Sequence, residues 1–167
     1  RLIRSRAKEW GIDSNKLGIL GFSAGGHLAS TVSTHFDTPE TRPDFTILIY
    51  PVISFLPPFG HAGSGNNLLG NNADPKLVRS FSNNERVTPD PPPAFLVAST
   101  GDTVVPAENS IVYYQALVKS GVPAEMHIYE QGEHGYGMGK GDPVLSTWTG
   151  LCIQWLQKRG ILAETKP

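Results

Sequence analysis

The chain has 167 residues, with 14 lysine and arginine residues against 15 aspartate and glutamate residues, and a formal net charge of -1. This length suits a single domain over residues 1–167 that buries roughly 70% of its unfolded surface. Because only 17% of the residues are charged and the two signs nearly cancel, the composition excludes nucleic acid or an anionic membrane as a partner held by charge. No apolar run approaches the roughly 18 residues of a membrane span.

Short apolar runs and runs with helical periodicity alternate along the chain. In chain order the predicted elements are helix 3–10, strand 17–22, helix 24–35, strand 45–50, helix 74–81, strand 94–100, helix 106–119, strand 124–129 and a last helix that Asp142 and Pro143 cap and Gly160 follows. The strands are apolar without clean alternation, which is typical of parallel strands covered on both faces. This order predicts an α/β fold, with a mostly parallel sheet of about four strands flanked by helices.

The segment from about 53 to 93 interrupts this pattern. It is rich in Pro, Gly and Asn, and only residues 74–81 within it have a helical pattern. A loop of this length inside a compact domain is uncommon, and such loops are often lids or binding loops. We therefore expect it to shape a substrate pocket, with Phe55, Phe59 and His61 as candidate substrate contacts.

The sequence Gly21-Phe22-Ser23-Ala24-Gly25 matches the pattern G-x-S-x-G at the junction of a predicted strand and a predicted helix. In a nucleophile elbow the turn is strained, and glycines on either side allow the strand and helix backbones to approach closely. The elbow presents the serine hydroxyl at the carboxyl edge of the sheet. Ser23 is therefore the candidate nucleophile, and the backbone N–H of Ala24 is the candidate oxyanion donor. The alternative is that Ser23 merely caps the helix.

A serine hydroxyl needs a base to become a strong nucleophile. His134 is favoured because it follows the fourth predicted strand in a flexible loop, at the edge where parallel α/β proteins place their sites. His27 is the alternative, although a histidine one turn after Ser23 is expected to pack within its own helix. The other histidines have expected roles in a strand, at a helix end and in the long loop: His127, His35 and His61.

The base in turn needs a carboxylate that orients it. Asp102 is favoured because it directly follows the third predicted strand, so that Ser23, Asp102 and His134 occur in the chain order of α/β-hydrolases. As an alternative role, Asp102 could cap the following helix. Glu130 and Glu133 are rival acids, but they share a loop with His134 and would have to fold back on it.

Other chemistries find little support in the sequence. The single cysteine, Cys152, cannot form an internal disulfide. Neither H-E-x-x-H nor a Cys/His cluster is present to supply metal ligands, so we expect no metal site. The glycines of residues 135–141 occur at every second position, which matches neither phosphate-binding pattern and favours a mobile loop beside His134.

At residues 21–27, 67–70, 92–110 and 127–135 the chain resembles the α/β-hydrolase superfamily, and within it the bacterial acetyl xylan esterase or xylanase-like esterases. The resemblance spans nearly the whole chain. It implies Ser23 as nucleophile, Asp102 as acid and His134 as base. It also implies hydrolysis of small acyl esters, such as acetyl groups on sugars, without a cofactor.

The chain departs from that family at its amino terminus. The fold normally has several strands before the elbow and a His-Gly-Gly type loop that donates a second oxyanion N–H, and neither is present here. The strand over 17–22 would then be an open apolar edge, which soluble proteins rarely leave uncovered. We expect another chain to cover it, either a second copy of this chain in a homo-oligomer or an absent amino-terminal segment.

The leading functional hypothesis is therefore a serine esterase that acts on a small-molecule ester. Two alternatives remain open. One is a serine peptidase of the prolyl-oligopeptidase type, which usually carries a gating domain of which this sequence shows no sign. The other is a hydrolase fragment that keeps the fold without activity.

Overall fold

A computed structural model describes residues 1–163 of the chain. Four parallel strands form one sheet in the order β1-β2-β3-β4, namely Gly18–Phe22, Phe45–Ile49, Ala94–Ser99 and Ala124–Tyr129. The helices are α1 (Leu2–Ser5), α2 (Ala7–Trp10), α3 (Ala24–Thr34), α4 (Ala62–Leu69), α5 (Pro75–Ser80), α6 (Glu108–Lys119) and α7 (Thr147–Lys158), and a 3₁₀ turn spans Asn83–Arg86. The predicted α/β fold with a four-stranded parallel sheet is confirmed.

The two central strands divide the core into two layers. Alternate residues of a strand face opposite sides of the sheet, and Leu48 and Leu96 pack beneath helices α3 and α6. Their neighbours Ile49 and Val97 pack on the other side against α7. Both central strands are almost fully buried, because each of their faces is covered by helices. Because all four strands are parallel, their carboxyl ends lie at the same edge of the sheet.

Strand β1 lies at an edge of this sheet and pairs only with β2 within residues 1–163. Leu20, at its centre, is 48% exposed. The first turn of the chain is held to this strand by Arg4, whose guanidinium contacts both carboxylate oxygens of Asp44 at 3.0 and 3.2 Å. Asp44 also accepts the N–H of Leu17 at 2.8 Å. The position of β1 is therefore fixed from its amino-terminal side.

The expectation that only residues 74–81 are helical in the long segment is wrong, because α4 also forms there. Its sequence contains two glycines and two asparagines, which are poor helix formers. Tertiary contact compensates for this: a Cβ on Gly65 would lie 3.1 Å from the Phe55 ring, so the helix backbone packs directly on that ring. The imidazole of His61 caps the helix by accepting the N–H of Ser64 at 3.1 Å.

The expected cap of the last helix is also wrong in position. Asp142 accepts the N–H groups of Val144 and Leu145, at 2.8 and 2.9 Å, but these belong to a preceding turn. Helix α7 begins at Thr147. Within residues 1–163, no helix combines the length and the apolar character that a membrane span requires.

Candidate active site

Ser23 lies in a strained turn between β1 and α3. Its φ of 52° and ψ of -124° are rarely adopted by a residue with a Cβ. The surrounding backbone holds this conformation, since the Ser23 N–H donates to the carbonyl of Ile49 at 3.0 Å. The Ser23 carbonyl in turn accepts the N–H groups of Gly26 and Val52, at 2.9 and 3.0 Å. A strained residue held by its neighbours at a strand end is typical of a nucleophile elbow.

Close packing at the elbow requires glycines at 21 and 26 and not at 25. A Cβ on Gly21 would lie 2.1 Å from the carbonyl oxygen of Gly25, and one on Gly26 would lie 2.5 Å from the Cβ of Pro51. A Cβ on Gly25 would meet no atom of the described residues within 4 Å. The sequence pattern therefore identified the turn correctly. It assigned the close approach on the helix side to Gly25, whereas the structure has it at Gly26.

Ser23, His134 and Asp102 form one hydrogen-bonded chain. The Ser23 Oγ lies 2.7 Å from His134 Nε2, and His134 Nδ1 lies 2.7 Å from Asp102 Oδ2. With the imidazole proton on Nδ1, that nitrogen donates to Asp102 and leaves Nε2 to accept the serine proton. This arrangement has the geometry of a base oriented by a carboxylate and bonded to a nucleophile.

Asp102 is fixed by backbone N–H groups of the turn that follows it, as well as by His134. Its second oxygen, Oδ1, accepts the N–H groups of Val104 and Val105 at 2.9 and 2.8 Å. The Asp102 side chain is only 1% exposed, and that of His134 is 18% exposed. The carboxylate is thus shielded from water and cannot rotate without breaking two hydrogen bonds. Asp102 both caps the turn after β3 and orients the histidine, so its two expected roles are compatible.

The Ala24 N–H is placed beside the nucleophile at the start of α3. Among the described residues it donates to no other group. A free N–H at a helix amino terminus favours negative charge, because the partial positive charge of the helix dipole lies there. The arrangement can therefore stabilise an oxyanion that develops next to Ser23.

The other candidate bases have different partners. His27 donates from Nε2 to the Phe81 carbonyl at 2.8 Å, and His35 contacts the Ser80 carbonyl at 2.9 Å. His127 pairs with Glu125 at 2.9 Å, and His61 caps α4. The rival acids Glu130 and Glu133 are exposed.

Cys152, a further potential nucleophile, lies on the buried side of α7, and this burial raises the pKa of its thiol to about 11. In residues 1–163 no group of three or more His, Cys, Asp or Glu side chains is arranged to hold a metal ion.

A cavity of about 400 Å³ opens beside the elbow. It is lined by one face of α3, by α4 and by two aromatic rings: Ala24, His27, Leu28, Thr31, Phe55, Ser64, Asn67, Leu68 and Phe81. The His27 ring stacks on Phe55 with centroids 4.4 Å apart, and burial lowers the pKa of His27, which favours the neutral form. Since its Nε2 donates to Phe81, its Nδ1 is left as an acceptor. The cavity is apolar with a few polar groups, as is usual for small-molecule sites.

Of the three predicted substrate contacts, Phe55 lines this cavity, whereas Phe59 and His61 do not. Phe59 is half-buried, and its carbonyl accepts from the Asn109 side chain at 3.0 Å.

Sequence reasoning also missed Tyr50, whose ring lies 5.1 Å from the His134 ring between centroids. Its position at the carboxyl end of a predicted strand was the available signal, because side chains at that edge converge.

Comparison with known proteins shows which family the chain belongs to. Residues 3–159 match the model of the prolyl oligopeptidase family. The chain belongs to the prolyl oligopeptidase family. It is 41% identical, over its whole length, to an acetylxylan esterase of Xylanibacter ruminicola, of which it spans 34%.

Two solved structures show the same fold. An acetyl ester-xyloside bifunctional hydrolase from Caldicellulosiruptor lactoaceticus has a TM-score of 0.92 and 43% identity, over 97% of this chain and 63% of that one. A carboxylesterase from Lactobacillus plantarum has a TM-score of 0.81 and 28% identity, over 98% and 66%. The α/β-hydrolase resemblance read from the sequence is confirmed, and the chain spans less than two thirds of the length of these relatives.

Proposed function

We propose that this chain is a serine hydrolase that cleaves small acyl esters through an acyl-enzyme. The observation that carries the proposal is the hydrogen-bonded chain from Ser23 through His134 to the buried carboxylate of Asp102. The relatives named above include an acetylxylan esterase and a carboxylesterase, which favours an ester as the substrate.

In the proposed mechanism, Ser23 Oγ attacks the ester carbonyl while His134 Nε2 takes the hydroxyl proton. Asp102 stabilises the imidazolium that forms, and the Ala24 N–H donates to the oxyanion of the tetrahedral intermediate. His134 then gives its proton to the alcohol oxygen as that group leaves. A water molecule, deprotonated by His134, attacks the acyl-enzyme and releases the acid, which restores Ser23.

We further propose that the cavity beside the elbow receives part of the substrate. Phe55, Leu28 and Leu68 present apolar surface there, while His27 Nδ1 and Asn67 are polar groups in the same lining. An acetylated sugar has both an apolar face and hydroxyl groups, so it fits this lining. Phe59 and His61 lie outside the cavity, in the segment that joins Phe55 to α4, and remain proposed substrate contacts.

The test is hydrolysis of p-nitrophenyl acetate by the wild type, by Ser23→Ala and by the control Ser80→Ala. Ser80 lies on α5 and donates to the Leu77 carbonyl, remote in sequence from the triad. We expect Ser23→Ala to lose on the order of 10⁶-fold in kcat and Ser80→Ala to retain wild-type activity. Equal rates for all three proteins would remove Ser23 from the mechanism.

A non-catalytic hydrolase fragment would give a different result. In that case Ser23 would not react with a fluorophosphonate probe, although circular dichroism showed a folded protein.

Peptide hydrolysis is the second candidate, because the family model that the chain matches is that of prolyl oligopeptidases. The same triad can cleave an ester or an amide. Comparison of p-nitrophenyl acetate with a dipeptide p-nitroanilide separates the two activities. We expect turnover of the ester alone, and a higher kcat/KM for the anilide would favour the peptidase.

We also propose that a further β-strand covers the open edge of β1. Leu20 is half exposed at the centre of this edge, and exposed apolar edges recruit other strands. The strand would come from a second copy of this chain or from another polypeptide segment. Sedimentation of the purified protein and of Leu20→Lys tests this. A dimer that the substitution dissociates identifies a second copy of the chain, and a wild-type monomer at micromolar concentration would count against coverage by another chain.

A further inference from the structure

Tyr50 has a left-handed backbone, and its side chain lies on the α7 side of the sheet, where its ring contacts that of His134. Along β2, Leu48 lies in the core beneath α3 and α6, and Ile49 lies in the core against α7. Continued alternation would place Tyr50 on the side of Leu48. Tyr50 instead packs in the α7 core with Ile49, and its φ of 38° interrupts the extended backbone at this residue. A residue with a Cβ adopts such a φ only when its surroundings hold it there.

The Tyr50 ring is in direct contact with the candidate base. It meets the His134 ring at an interplanar angle of 67°, and it packs on Tyr136 with centroids 4.5 Å apart. The Tyr50 backbone is fixed by a hydrogen bond from its N–H to the carbonyl of Val97 at 2.7 Å. Since Tyr50 is only 5% exposed, its ring forms a buried surface against one side of the imidazole.

The Tyr50 hydroxyl anchors the loop that carries His134. It accepts the N–H of Gly137 at 3.0 Å, and the carbonyl of the same residue accepts from Trp148 Nε1 at 3.1 Å. Gly137 is therefore held on both sides of its Cα. Before His134, the carbonyl of Gly132 accepts from Ser99 Oγ. The base thus lies between two anchors.

Such anchors are needed because the loop has little conformational preference of its own. Five of its glycines have positive φ, between 55° and 143°: Gly132, Gly135, Gly137, Gly139 and Gly141. Glycine loses more conformational freedom on ordering than any other residue, so side chains outside the loop must define its position.

We propose that Tyr50 is a positioning residue for His134, acting through its ring contact with the imidazole and through its hydroxyl bond to Gly137. This inference rests on the proposed function. The bond it supports is that from Ser23 Oγ to His134 Nε2, at 2.7 Å. A displacement of about 1 Å in such a group can cost on the order of 10²-fold in rate.

Two substitutions separate the two contacts. Tyr50→Phe keeps the ring and removes only the acceptor for Gly137, and we expect it to lower kcat for p-nitrophenyl acetate about tenfold with little change in KM. Tyr50→Leu removes both contacts and is expected to lower kcat about 10²-fold. The matched control is Tyr129→Phe, which removes a tyrosine hydroxyl bonded to Thr147 on the same side of the sheet. It should leave kcat unchanged.

A second readout does not depend on activity. The proton that His134 Nδ1 shares with Asp102 is expected to give a far-downfield resonance in the proton NMR spectrum, assigned by its absence in His134→Gln. We expect this resonance in the wild type and in Tyr129→Phe, broadened in Tyr50→Phe and lost in Tyr50→Leu. If Tyr50→Leu does not fold, Tyr50→Phe decides the question.

The proposal is overturned if a folded Tyr50→Phe matches Tyr129→Phe in both kcat and the proton resonance. A failure of the proposed function gives a different pattern. In that case the wild type neither hydrolyses the ester nor reacts with a fluorophosphonate, while the resonance still reports whether Tyr50 positions His134.

Discussion

Asp102 and Asp142 hold the turns that follow them in the same way. In each, Oδ1 accepts the N–H groups of the second and third residues along the chain, at 2.8 to 2.9 Å. They differ in the other oxygen, since Asp102 Oδ2 accepts from His134 and no such bond involves Asp142 among the described residues. Both aspartates therefore cap a turn, and Asp102 in addition orients a histidine.

Asp102→Asn is expected to lower kcat for ester hydrolysis on the order of 10⁴-fold, as in other serine triads. The two backbone N–H groups of Val104 and Val105 require an acceptor, so the amide oxygen must take the place of Oδ1. The amide NH₂ then faces His134 and donates to its Nδ1. This moves the imidazole proton to Nε2, which can no longer accept the proton of Ser23.

Asp142→Asn is the matched control, because its amide oxygen can accept the same two N–H groups without any effect on His134. Steady-state kinetics with p-nitrophenyl acetate is the measurement. Similar losses in both variants would mean that Asp102 acts only as a cap.

Neighbouring glycines at the elbow should respond in opposite ways to alanine. Gly26→Ala places a Cβ 2.5 Å from that of Pro51, and overpacking of this kind costs about 1–3 kcal/mol. Gly25→Ala meets no atom of the described residues within 4 Å and lies in the first turn of α3, where alanine is favoured over glycine by up to about 1 kcal/mol. Urea unfolding followed by circular dichroism compares the two, and equal destabilisation would contradict the packing described here.

Buried His27 should make the fold sensitive to mild acid. Burial lowers its pKa in the folded state below the usual value of 6.5, so the unfolded chain binds the proton more readily. Stability is therefore unaffected well above pH 6.5 and decreases as the pH falls through it, by at most about 1.4 kcal/mol for each pH unit.

The variant His27→Gln, which can still donate to Phe81, should remove this part of the acid dependence. Urea midpoints measured from pH 8 to pH 5 test it. The stability of the wild type relative to the variant should be constant at the alkaline end and decrease toward acid. Parallel curves over the whole range would contradict the prediction.

Filling the cavity should discriminate between substrates by size. Leu68 lines the cavity, and Leu68→Trp adds an aromatic ring there. We expect kcat/KM for p-nitrophenyl butyrate to fall about tenfold more than that for the acetate, since hydrophobic pockets discriminate on this scale. Leu77→Trp, at an exposed position of α5, is the control. Equal effects of both substitutions would place the substrate elsewhere.

The apolar runs along the chain predicted most of the sheet, because a buried parallel strand can be recognised from its own short stretch of sequence. Each predicted strand agrees with an observed one to within one residue at either end, since apolar runs of this length form strands when helices cover both faces. Helix α4 could not be recognised in this way. Its glycines and asparagines favour a loop, and it is stable because Gly65 packs on the ring of Phe55.

Residue type and strand-end position were sufficient to nominate Ser23, Asp102 and His134, because parallel strands bring their carboxyl ends to one edge. Only the tertiary structure decided how the histidine is held. The contacts of Tyr50 with His134 and Gly137 join residues separated by more than 80 positions, and Tyr50 makes them with a left-handed backbone, at a φ of 38°. Periodicity reflects contacts between near neighbours in sequence, whereas such long-range contacts exist only after the sheet has formed.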